Sequence, residues 1–258
     1  MITARFGPVQ ELPYFVAIQG QQYNQVAFVV PPVTNRPTRR TLWLLLGGNA
    51  MLAKDWLTFV EGIRRRDTTG TLDRATFLLV DYPGYGESDG PLPTPDTINT
   101  IVNTALETLL NKEASHQYET VNILGHSLGG AVALRLANER IRLESTAKVR
   151  SVVTSATFVS LAAMIRSIAG VPLSIGKMLA SHEWSSIDNI VNLKYAKVDV
   201  ILVHGEQDEI VPYYQGVELS KQTNAPLFTH PTAKHNNILE MWISKYSEIM
   251  ANVSGAKL

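Results

Sequence analysis

The chain has 258 residues, 45% of them hydrophobic and 18% charged, a composition that buries a large core and excludes disorder. Lys and Arg together number 23, as do Asp and Glu, so the formal net charge is zero and the basic excess of a general nucleic-acid binder is missing. There are no cysteines, which excludes disulfides, thiolate metal sites, a cysteine nucleophile and thiol-borne lipid anchors.

Along the chain, residues 14–18 and 26–30 read as strands, the first preceded by Pro13 and the second ended by Pro31-Pro32. A buried strand follows at 41–46, then Gly47-Gly48-Asn49-Ala50, then a helix over 54–66 with Trp56, Phe59, Val60 and Ile63 on one face. The basic run Arg64-Arg65-Arg66 reads as the solvated end of that helix. A strand at 75–81 leads into a Gly/Pro-rich loop and a helix over 97–110. Further strands are expected at 121–124, 149–154, 198–204 and 226–229, with helices at 128–143 and 237–250. Apolar runs alternating with helical periodicity define an α/β chain with a largely parallel sheet. Residues 158–193, with Gly170, Pro172 and Gly176, differ in character and suit two or three short helices inserted into one sheet domain.

No basic start followed by an apolar run opens the chain, so no signal peptide is expected. The longest stretch without Asp, Glu, Lys or Arg, 12–35, is broken by Gln19, Gln21, Gln22, Asn24 and Gln25, so no membrane span is expected. The last residues, Ala256-Lys257-Leu258, are close to the Ser-Lys-Leu address, so a cytoplasmic location is expected, or a peroxisomal one in a eukaryote.

Gly125-His126-Ser127-Leu128-Gly129 matches G-x-S-x-G between an apolar strand and a helix. The glycines remove side chains that would collide at a sharp turn, which pushes the Ser127 hydroxyl outward, and the following helix aims its N-terminal amides at the same point. A serine needs a base near neutral pH. Of six histidines, His235 in Ala233-Lys234-His235-Asn236-Asn237 falls after the last strand, where such a base belongs; His230 is the rival but ends the strand itself. His116, His126, His182 and His204 read as structural or exposed. Asp208 is the candidate acid after the 198–204 strand, with Glu206 and Glu209 facing solvent or capping the next helix. The order serine, acid, histidine is that of a hydrolase with a nucleophile elbow. Two backbone amides are needed for a tetrahedral oxyanion: Leu128 supplies one and the loop after 41–46 the other, through Asn49 or else Ala50.

Together these motifs resemble the α/β-hydrolase family, in particular a small-lid serine hydrolase branch with a His-Gly-Asn-Ala oxyanion loop. The shared stretches are Gly48-Asn49-Ala50, Asp81-Tyr82-Pro83-Gly84-Tyr85-Gly86-Glu87-Ser88, Gly125 to Gly130, Thr157 to Leu161, His204 to Pro212 and His235-Asn236. The resemblance implies an α/β-hydrolase fold: a mostly parallel twisted sheet of about eight strands flanked by helices, one domain over 1–258 with a helical lid at 157–194. Gly47 stands where the branch usually has a histidine that supports the loop. The Asp81-to-Ser88 loop reads as a tight structural turn under the site. Within the insertion, Phe158, Met164, Met178 and Trp184 either line an acyl pocket or pack the lid onto the core. The expectation is a serine carboxylic-ester hydrolase, with Ser127, Asp208 and His235 as the triad and Asn49 and Leu128 as the oxyanion hole. Its partner would be a small-molecule acyl ester or thioester, with no nucleic acid, no cofactor and no metal. The other reading is a ligand-binding or scaffold protein on the same fold with little turnover.

Overall fold

A computed structural model of the chain describes residues 7–34, 40–112, 118–143, 147–164 and 184–255. Eight strands form one sheet in the order β1-β2-β4-β3-β5-β6-β7-β8. The strands are β1 (Gln10–Ile18), β2 (Gln21–Val30), β3 (Arg40–Leu46), β4 (Thr76–Val80), β5 (Tyr118–His126), β6 (Lys148–Ser155), β7 (Asp199–Gly205) and β8 (Leu227–His230). β2 runs antiparallel to both its neighbours, and all pairings from β4 to β8 are parallel.

The sheet is covered on both faces, and the sequence of β3 shows why. Successive side chains of a strand point to opposite faces. Leu42, Leu44 and Leu46 join one core cluster, whereas Trp43 and Leu45 join the other, and all five are fully buried. The first cluster is closed by α2 (Pro95–Lys112) and α3 (Leu128–Arg140) through Ile101, Val102, Leu106, Val132 and Leu136. The second is closed by α1 (Trp56–Arg66) and the C-terminal helix Ile243–Gly255 through Trp56, Val60, Ile63, Tyr246 and Met250. Each fully buried Leu or Ile contributes about 2 kcal/mol, so the sheet is held by its two faces rather than by its edges.

The strands and helices fall where the periodicity places them, with shifted ends. Pro13 lies inside β1 opposite Val26 rather than before the strand; β1 is the sheet edge, where a missing amide donor is tolerated. α2 begins at Pro95, the first-turn position where proline loses nothing. α3 stops at Arg140, and the last helical segment is split into Ile238–Met241 and Ile243–Gly255. Arg64 corrects the reading of a solvated basic run. It is fully buried, donates to the carbonyls of Pro31, Leu72 and Ala75, and lies over the Phe77 ring. Its position one turn after Val60 puts it on the apolar face of α1. Arg65 pairs with Glu61 at the surface, as a solvated helix end would.

Phe158 follows the end of β6, and the described chain resumes at Trp184. An isolated bridge pairs Ser160 with Ser185, and the Ser186 amide donates to Val159 O at 2.9 Å. Gln215, fully buried on helix Tyr214–Thr223, accepts from the Val159 amide at 3.0 Å. Helix Ser186–Tyr195 then packs against α3 and β7 as a flanking helix. The sequence-predicted Met178 and the Ala256-Lys257-Leu258 ending lie outside the described residues. Among the described residues no helix is long and apolar enough to cross a membrane.

Candidate active site

Parallel registry brings the C-terminal ends of the central strands level. Leu46 pairs with Gly125, Gly125 with Thr154, and Ser155 with Val203. The loops after β3, β5, β7 and β8 therefore meet at one edge, the usual place for a site in such a sheet.

Ser127 sits between β5 and α3 with φ 55 and ψ −118. A non-glycine residue in this region costs of order 1–3 kcal/mol and persists only where its surroundings hold it. Here its amide donates to Ser155 O at 2.8 Å, and its carbonyl accepts from the Gly130 amide and the Thr157 hydroxyl, each at 3.0 Å. The flanking glycines are sterically required. A Cβ at Gly125 would lie 2.0 Å from Gly129 O, and one at Gly129 would lie 2.1 Å from Leu46 O. Ser127 and Leu128 remain half-buried at the mouth of the turn.

His235 and Asp208 meet as the sequence order predicts. His235 Nδ1 lies 2.8 Å from Asp208 Oδ2, and both side chains are buried. Asp208 Oδ1 accepts the amides of Ile210 and Val211 at 2.9 and 2.7 Å. Burial alone would raise the Asp208 carboxyl, but contacts from His204 and His235 and the Val211 amide outweigh it and hold the group well below the usual carboxylate range. The Asp208 carboxylate engages Nδ1, which leaves Nε2 as the His235 nitrogen turned away from that pairing. Glu206 is exposed and accepts from the Thr229 hydroxyl, while Glu209 is exposed beside the His235 amide. His230 ends β8 and its Nδ1 accepts from the Ala233 amide, so it is committed to the turn.

His126, the residue before Ser127, stacks on His235 with centroids 4.9 Å apart and planes at 42°. Among the described residues no hydrogen bond joins Ser127 Oγ to His235.

The β3 loop lies on the other side. Gly48 is packed so closely that a Cβ there would come within 3.2 Å of Ser127 Cβ. Asn49 and Ala50 follow, exposed, with Ala50 at φ 63. This is the place expected for the second oxyanion donor.

Three groups around the site were not singled out by sequence reasoning. His204, read as structural, has Nε2 2.9 Å from Val211 O, to which it donates, with Asp208 Oδ2 also near it at 3.4 Å. His126 Nδ1 lies 3.2 Å from Ser155 Oγ, which lies 2.6 Å from the Tyr246 hydroxyl. Burial pushes the His126 imidazole down to about 3, and the His235 ring adds to the effect. Tyr82 and Tyr85, inside the loop read as a structural turn, touch the β3 loop through their hydroxyls. The only sequence signal for these groups is their adjacency to the motifs.

Phe158, Met164 and Trp184 are buried in the same core cluster as α3, and Met164 Sδ accepts from Gln215 Nε2. A cleft of about 400 Å³ opens between α1 and the C-terminal helices, with Met51 and Asn236, neighbours of the two site loops, on its wall.

The sheet order, the elbow and the edge cluster define an α/β hydrolase, and the chain belongs to that family: the model of the alpha/beta hydrolase fold matches residues 44–182, more than half of its length. It is similar to Protein bem46 of Schizosaccharomyces pombe, 30% identical over 163 residues that cover 62% of this chain and 52% of that protein. The uncharacterized protein R595 of Acanthamoeba polyphaga mimivirus is 29% identical over 176 residues, 63% of this chain and 58% of that one. The chain thus spans about half the length of the curated relatives it matches. In fold it is similar to Est1E from Butyrivibrio proteoclasticus, solved with ferulic acid bound, at a TM-score of 0.67 and 20% identity over 94% of this chain and 100% of that one.

Proposed function

We propose that this chain is a serine hydrolase that cleaves carboxylic esters, with thioesters and lipid acyl esters open to the same machinery. The observation that carries the reading is Ser127, held at positive φ on the elbow next to His126, whose ring packs on the His235 imidazole that is paired through Nδ1 with the buried Asp208 carboxylate. In this reading Ser127 Oγ attacks the acyl carbonyl and its proton passes to His235 Nε2. The carbonyl oxygen becomes an oxyanion between the Leu128 and Asn49 amides. Collapse of the intermediate breaks the bond to the leaving oxygen or sulfur, which takes the proton from His235. Water then attacks acyl-Ser127, giving its proton to His235, and the acid leaves as the proton returns to Ser127. Asp208 keeps the imidazole in one tautomer and stabilises its charged form. Phe158, Met164 and Trp184 would shape the acyl side from beneath, with Met178 as a further member, and the cleft beside Met51 and Asn236 is open to the other substituent.

Hydrolysis of a panel of p-nitrophenyl esters of increasing chain length tests the reading. Ser127→Ala should lose about 10⁴-fold or more in kcat while keeping its thermal midpoint. Turnover that survives in the folded variant would remove Ser127 from the mechanism. Ester binding without turnover in the wild-type protein would favour a binding or scaffold role on this fold.

A further inference from the structure

The loop that carries Asn49 has little of its own to hold it. Gly47 offers no side chain, and it could not easily do so, because a Cβ there would come within 3.1 Å of Met51 Cβ and 3.3 Å of Met51 O. Ala50 sits at φ 63, a conformation that needs outside support, and the loop's internal hydrogen bond, from the Met51 amide to Gly48 O, is a long 3.2 Å. Support arrives instead from the loop after β4. The Tyr82 hydroxyl, buried beneath, donates to Gly47 O at 2.7 Å. The Tyr85 hydroxyl donates to Asn49 Oδ1 at 2.7 Å and faces the Ala50 amide at 3.5 Å. Asp81 Oδ1 accepts the Ala53 amide at 2.7 Å, closing the far end. The two tyrosine rings pack edge to face, centroids 5.8 Å apart, so that each fixes the direction of the other's hydroxyl.

We propose that Tyr82 and Tyr85 are positioning residues for the oxyanion hole, gripping the loop at Gly47 and Asn49 so that the Asn49 amide stays aimed at the acyl oxygen above Ser127. This rests on the reading of Ser127 as nucleophile and Asn49 as oxyanion donor. It gives the Asp81-to-Ser88 loop a task in turnover, and it puts the support of the oxyanion loop on the loop after β4, where Gly47 has no side chain to supply it. An amide that wanders still admits substrate but no longer meets the tetrahedral oxygen. The effect therefore falls on the transition state, not on ground-state binding.

Tyr85→Phe removes one hydroxyl from a half-buried ring and is the variant least able to disturb folding. It should lower kcat on a short p-nitrophenyl ester about tenfold, a fraction of the loss for removing an oxyanion donor outright. KM and the thermal midpoint should stay as in wild type, and affinity for a boronic acid that mimics the tetrahedral state should fall in the same ratio as kcat/KM. Tyr82→Phe should act in the same direction. A kcat within twofold of wild type in both variants overturns the proposal. So does a rise in KM at unchanged kcat, or a loss of kcat matched by a loss of folded protein. Ser127→Ala, measured alongside, separates the two ideas. Turnover that survives in it overturns the nucleophile and the grip together, whereas its loss with both tyrosine variants unaltered overturns the grip alone.

Discussion

His126 occupies a position where a charge has no place to go. Its ring is buried, lies against His235, and touches the Ser155 hydroxyl, which in turn meets a Tyr246 phenol that burial keeps protonated. The folded pKa, about 3, is far below the ordinary value near 6.5 of an unfolded chain, so the unfolded state takes up the proton first. The contribution of a neutral His126 to stability is therefore complete above about pH 6.5 and declines as pH falls toward 3. Asp208 has the same sign: its carboxyl is depressed, so its contribution is present above the unfolded value and is lost as pH falls through the folded one. Between pH 6.5 and 4.5 the His126 contribution changes with a slope of at most about 1.4 kcal/mol per pH unit. His126→Gln should flatten the dependence of the thermal midpoint on pH over that window; an unchanged slope would show that the imidazole is not the group lost. At this scale the sequence anticipated the elbow at Ser127 and the pairing of His235 with Asp208, where chemistry demands a residue type in a fixed order; their catalytic roles are the proposal. It was not legible for His126, Tyr82 or Tyr85, because their importance comes from contacts across loops that no spacing along the chain encodes.

The elbow is the element in which sequence and geometry bind each other most tightly. The turn from β5 to α3 brings Gly129 so close to β3 that only hydrogen fits. Gly129→Ala would drive a methyl group into the Leu46 carbonyl, which belongs to a central strand and cannot retreat. We expect a loss of about 3 kcal/mol or more, read as a lower urea midpoint. A midpoint within experimental error of wild type would contradict this packing. Element types were readable from periodicity, but their ends were not. Pro13 looked like a boundary and is interior, because β1 lies at the sheet edge and tertiary position, not local propensity, decides what proline may do. Arg64 looked solvated because three arginines stand together, yet helical geometry turns the first inward while its neighbours face water. The helix Ser186–Tyr195 was read with the insertion because its apolar spacing suits a lid and a flanking helix equally.

Across the whole molecule the strand order, with β4 outside β3 and β5 on its other side, assembles groups from residue 47 to residue 235 at one edge. Alternating strands and helices made a parallel sheet legible, but the reversal at β2 and the crossing of β3 and β4 are properties of connection that periodicity does not carry. The motif order supplied what periodicity lacked, since an elbow followed by an acid and then a histidine is the succession expected of this winding, and the structure brings His235 to Asp208. The central claim is that Ser127 is activated by the His235–Asp208 pair. The most direct measurement is the intact mass of the protein after treatment with a fluorophosphonate probe, made on wild type, Ser127→Ala and Asp208→Asn. One adduct on wild type, none on Ser127→Ala, and labelling of Asp208→Asn slower by about 10³-fold is the predicted result. An adduct on Ser127→Ala, or a folded wild-type protein that takes none, would contradict it.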